Sequence, residues 1–164
     1  MTTDVINDVL GLSENSDLAK LRQQRGKLQQ FTQSSYEAAF RPADPRNFSY
    51  TERAAFGLRM ANLWNSKELA AQYKALLDNE VSNEDLLDIS NPAFMPADEG
   101  SRLAVILRHI DLVTLSPKEA TRENIERLYT AGLDDRDIVT LAGIIAFVNY
   151  QVLVIAGLKM LRDN

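Results

Sequence analysis

Apolar positions along the chain recur at helical spacing, and no stretch shows sustained alternation of apolar and polar residues, so the pattern predicts an all-α protein. Thr3 or Asp4 can cap a short first helix carrying Val5, Ile6, Val9 and Leu10, with Gly11 to end it. Ser16 caps a helix from Asp17 to about Phe40, whose stripe of Leu18, Leu21, Leu28, Phe31, Ala38 and Phe40 is thin. Pro42 and Pro45 then impose a loop. A third helix starts at Ser49 or Thr51 and runs to about Leu63, with Ala54, Ala55, Leu58 and Ala61 on one side. Trp64-Asn65 forms a tight turn, and Ser66 caps a fourth helix, Lys67 to Leu77. A polar connector follows, with about one helical turn at Glu84 to Ile89. Asp98 opens a helix ending near Leu115, Thr121 caps Arg122 to Thr130, and Gly132 suits a helix C-terminus.

The last element dominates the pattern. From Ile138 to Leu158 there is no charged side chain. Such a run has the length of a bilayer span or of a core helix. Asn149, Tyr150 and Gln151 near its middle, the acidic flank Asp134, Asp135 and Asp137, and the amphipathic segments elsewhere favour a central helix buried in protein. A helix apolar on all faces needs more cover than the thin stripes supply. The expectation is therefore a homo-oligomer, with Ile145, Val148, Val152 and Ile155 as the face offered to a second chain.

Composition narrows the function. The chain has 164 residues, a net charge of −5 and no cysteine. An acidic protein lacks the basic surface that nucleic acid demands. Without cysteine there is no disulfide, thiolate metal site or sulfur nucleophile. The single histidine, His109, rules out a multi-histidine metal site within one chain. The N-terminus lacks a basic stretch, so no signal peptide is expected and the cytoplasm is the expected location.

Two blocks carry a resemblance. One runs Asn124, Leu128, Ala131-Gly132-Leu133, then Ile138 through Phe147-Val148-Asn149-Tyr150. The other joins Tyr50-Thr51-Glu52-Arg53 to Asn62-Leu63-Trp64-Asn65-Ser66. Together they resemble the carboxymuconolactone decarboxylase and alkylhydroperoxidase-D-like (AhpD-like) superfamily, within it the uncharacterised CMD-domain proteins. The similarity spans about Phe48 to Leu161, which leaves residues 1–47 as an N-terminal helical extension of a single domain, 1–164. The resemblance implies an AhpD-like helical bundle, assembly through buried helices and, in the peroxidase branch, a pair of thiols with a Glu and a His. There a helix N-terminus lowers the pKa of the attacking thiol, and the second thiol resolves the sulfenic acid. In this chain the two thiol positions fall on Ser66 and Leu69, the His on Tyr73 and the Glu on Ala54. The Arg that many relatives carry four residues after the Asn is Leu153. The resemblance thus implies the fold without the dithiol activity.

The remaining candidates each have two readings. His109 is a boundary residue, or a general acid or base with Glu52 as its carboxylate partner. Glu52, Arg53 and Arg59 form a solvated charged edge, or a pocket that orients an anion. Ser66 is a helix cap. Tyr73 is core or interface material. Asn149 and Tyr150 tie the long helix to a neighbour, or touch a ligand. The expected function is that of a cofactor-free small-molecule pocket at the Thr51–Tyr73 helix pair, non-redox or degenerate. The alternative is a non-catalytic binding or assembly protein, partnered with a cysteine-bearing relative in antioxidant defence.

Overall fold

The computed structural model describes residues 4–80 and 84–162. Among them lie nine α-helices and no strand: α1 (Val5–Leu10), α2 (Asp17–Gln23), α3 (Gly26–Phe40), α4 (Tyr50–Leu63), α5 (Lys67–Asp78), α6 (Glu84–Ser90), α7 (Arg102–Leu115), α8 (Arg122–Thr130) and α9 (Asp135–Arg162). A 3₁₀ turn, Pro117–Glu119, joins α7 to α8. The all-α bundle with its long apolar C-terminal helix is the fold class expected from the sequence.

Local chemistry sets most boundaries. The Asp4 carboxylate accepts from the amides of Ile6 and Asn7, and Gly11 closes α1 in the left-handed region at φ 61°; Thr3 lies outside the described residues. Ser49 and Glu52 form a reciprocal capping box at the start of α4. Asp134 and Asp137 do the same for α9: the Asp134 carboxylate accepts from the Asp137 amide at 2.8 Å, and the Asp137 carboxylate accepts from the Asp134 amide at 3.1 Å.

The structure corrects four local expectations. The segment from Asp17 to Phe40 is two helices. The amides of Gln24 and Arg25 turn to carbonyls three residues back, and α3 restarts at Gly26. Asp98 caps only a turn, accepting from the Gly100 amide at 3.0 Å, and the Ser101 side chain is the cap of α7. Ser66 stands at the N-cap position of α5, but its side chain makes no capping bond. The fourth correction concerns the centre of the fold. It is α4, not α9: every residue from Arg53 to Ala61 is buried. Helices α3, α5, α6, α7 and α9 all pack on α4.

Helix α9 lies along one side of this centre. Ile145, Val148, Val152 and Ile155 are all buried within the chain, so the face expected to be free is the one that α9 presses inward. The opposite face is the unpartnered one. Val139, Ala142, Ala146 and Leu153 follow it in helical steps, and Val139 and Leu153 are 70% and 67% exposed. By length and composition α9 is apolar enough to cross a membrane, and 44% of its most apolar window is buried against the rest of the chain.

The N-terminal helices share the same core. Val5, Ile6, Leu10, Ala39 and Phe40 belong to the apolar cluster that holds Phe56, Met60, Tyr73, Leu107 and Val148. Phe40 packs on Tyr73 with ring centroids 4.8 Å apart.

Candidate functional site

The α4–α5 pair is packed shut around Tyr73. Gly57 faces the Tyr73 ring so closely that a Cβ there would sit 2.7 Å from its Cδ1. The phenol donates to Gln151 Oε1 in the buried interior, and burial, with Tyr36 nearby, raises its pKa well above the usual tyrosine value. Tyr73 therefore keeps its proton at neutral pH and serves as a core donor.

The charged candidates on α4 are also engaged. Arg53 is buried and gives its guanidinium to three carbonyls: Phe48 at 2.9 Å, Ala39 at 2.6 Å and Pro45 at 2.9 Å. Desolvation lowers its pKa. Arg59 is fully buried and grips Asp111 of α7 with two bonds of 2.6 Å. It also donates to the carbonyls of Ile89, Asn91, Pro92 and Phe94, which ties down the segment after α6. Glu52 completes its capping box and accepts from Arg102 at 3.1 Å. Arg102 lies seven residues before His109 on α7, about 10 Å along the helix axis. The structure thus holds Glu52 beside Arg102 and does not bring it to His109.

His109 is in a different situation. It is 9% exposed, and its Nδ1 is buried with no hydrogen-bond partner. Burial pushes its pKa below the ordinary histidine value, so the ring is neutral at pH 7. The residue borders two hollows. One, of about 570 Å³, lies between α7 and α8 and includes Arg108, Leu112, Asn124, Arg127 and Thr130. The other, of about 370 Å³, lies between α7 and α9 and includes Trp64, Thr114, Ala142, Asn149 and Leu153. Thr114 Oγ1 is a second buried polar atom without a partner.

Asn149 and Tyr150 reach side chains of neighbouring helices. Asn149 Oδ1 accepts from the Trp64 indole at 2.7 Å, and the Tyr150 hydroxyl lies 2.9 Å from Thr32 Oγ1. The indole thus fixes one wall of the smaller hollow. Trp64 reads as a turn residue in the sequence; an aromatic ring at an exposed turn was the available signal for its second role. Thr114 carried no such signal, being one polar residue in an apolar helix. Among the described residues no three His, Asp or Glu side chains stand together as a metal site.

No family model and no curated protein sequence matches the chain. A solved structure of similar fold is known. It is the crystal structure of an uncharacterized peroxidase-related protein from Silicibacter sp. TM1040, 19% identical, with a TM-score of 0.69 over 80% of this chain and 68% of that one. At that identity the likeness is one of fold, in keeping with an AhpD-like bundle.

Proposed function

We propose that the chain is a cysteine-less relative of the AhpD-like, CMD-domain proteins, with a cofactor-free small-molecule site in the hollows that share His109. The observation that carries this reading is the buried, neutral, unbonded imidazole at the border of two hollows. A buried polar group without a partner costs stability, and such groups in native proteins call for an explanation. A ligand that hydrogen-bonds His109 supplies one. A neutral imidazole can take a proton as a general base and, once protonated, return it as a general acid, which suits acid–base chemistry on a small molecule. The chain has no cysteine, so we assign it no thiol-dependent peroxide reduction.

The test is a thermal-shift screen of small carboxylates and hydroperoxides, repeated on His109→Gln, with the imidazole resonances followed by NMR. Binders should move those resonances and lose at least tenfold in affinity in the variant. Binders indifferent to His109, or none at all, would remove the proposal.

A second reading, a non-catalytic assembly protein, is favoured by the exposed apolar face of α9. Val139 and Leu153 stand exposed on a helix with no charge between Ile138 and Leu158. A homo-oligomer in the cytoplasm, or a complex with a cysteine-bearing relative, would cover it. Sedimentation of Leu153→Glu beside the unaltered chain tests this: the reading requires an assembly that the new charge disrupts.

A further inference from the structure

A third hollow, of about 560 Å³, runs between α3 and α9, away from His109. Its size is that of a small-molecule site. Leu28, Phe31, Ala38, Ile144, Ala146 and Phe147 form half of its lining, Ser35 and Thr140 add hydroxyls near its edge, and no charged side chain lines it. Thr32 is buried in that wall beside Tyr150, their hydroxyl oxygens 2.9 Å apart. Two hydroxyls sharing one bond use one hydrogen. Ser34, two residues on, returns its hydroxyl to the Gln30 carbonyl, whereas among the described residues the Thr32 hydroxyl meets Tyr150 alone. One O–H of the pair is therefore left to donate, whichever partner gives the shared hydrogen.

From this geometry we infer that the α3–α9 groove binds an uncharged, largely apolar small molecule with one carbonyl oxygen, such as an aliphatic ketone, aldehyde or ester. The apolar wall takes the hydrocarbon, and the Thr32–Tyr150 pair donates its spare hydrogen to the carbonyl. A carboxylate would enter with no cation to meet it, at a high desolvation cost. The apolar surface of a second chain would bury the spare O–H without an acceptor. A carbonyl ligand meets both demands.

The experiment titrates the whole chain with 2-octanone and with octanoate, reading the amide resonances of Phe31, Gly143 and Ala146 by NMR. The ketone should shift them and saturate, with octanoate at least tenfold weaker. Gly143→Leu puts a side chain into the groove at a position where the added Cβ meets no atom within 4 Å. It should fold and lose ketone binding. Thr32→Val/Tyr150→Phe removes both hydroxyls and should weaken the ketone about five- to tenfold, narrowing its lead over octanoate. Circular dichroism checks that each variant is folded. Equal binding of octanoate, ketone binding that survives Gly143→Leu, or an unaffected double variant would each overturn the inference. So would a self-association that Gly143→Leu abolishes while the ketone fails to bind.

Discussion

In Arg59→Met, an uncharged side chain of similar length replaces a fully buried guanidinium. Two charge-assisted bonds to Asp111 disappear, both 2.6 Å long, and the carbonyls of Ile89, Asn91, Pro92 and Phe94 lose their donor. Removing one partner of a buried ion pair costs about 3–5 kcal/mol, because the other charge is left uncompensated. The Asp111 side chain is 25% exposed, so water can partly rehydrate its carboxylate and hold this part near the lower end. The carbonyls add to the loss, but sites that share one side chain do not sum independently. The expected destabilisation is about 4 kcal/mol, a large share of the roughly 5–15 kcal/mol available to a domain. Equilibrium urea unfolding, followed by circular dichroism and by Trp64 fluorescence, measures it. Arg59→Met/Asp111→Leu removes the stranded carboxylate and should recover about 1–2 kcal/mol of the loss. A single variant within about 1 kcal/mol of the parent would refute the view that Arg59 locks α7 and the segment after α6 onto α4.

Three further outcomes follow from the same structure. His109 has a lowered folded-state pKa, so the unfolded chain takes up its proton first as pH falls below about 6.5. Its contribution is fully present above that value and is lost on acidification by up to about 1.4 kcal/mol per pH unit; His109→Gln should show a shallower fall between pH 7.5 and 5, and identical profiles would exclude the effect. Gly57→Ala gains about 1 kcal/mol of helix propensity but forces a Cβ to 2.7 Å from a fully buried ring, so it should be less stable by about 1–2 kcal/mol in urea; a more stable variant would show that Tyr73 can yield. Ser66→Ala should stay within about 0.5 kcal/mol of the parent, since the side chain makes no capping bond to lose, and a deficit above about 1 kcal/mol would mean the cap forms in solution.

Helix positions were largely legible because caps and glycines act locally: Asp4, Ser49, Gly11 and Asp134 need only their neighbours in sequence. The centre of the fold was not. Hydropathy favours α9, whereas α4 carries Arg53 and Arg59 and so looks half solvated. Their burial depends on carbonyls from Ala39, Pro45, Phe48 and the segment Ile89–Phe94, together with one carboxylate on α7. No local pattern announces those meetings. The same limit applied to α9, where apolar residues on every side gave no means of telling the inward face at Val148 from the outward one at Leu153. His109 drew notice as the single titratable imidazole, but its empty hydrogen-bonding surroundings are a property of the packed helices.

The Arg53 guanidinium has a consequence for how the molecule comes apart. It holds the carbonyls of Ala39 and Pro45 from the end of α3 and the loop beyond it, and makes no salt bridge among the described residues. If the N-terminal helices peeled away, the guanidinium would lose two of its three carbonyl partners together. Residues 4–47 are thus bound to the bundle by charge-assisted hydrogen bonds as well as by apolar contact. Opening should be all-or-none, with amides in α3 exchanging with deuterium at the rate of those in α4 rather than fraying ahead of them.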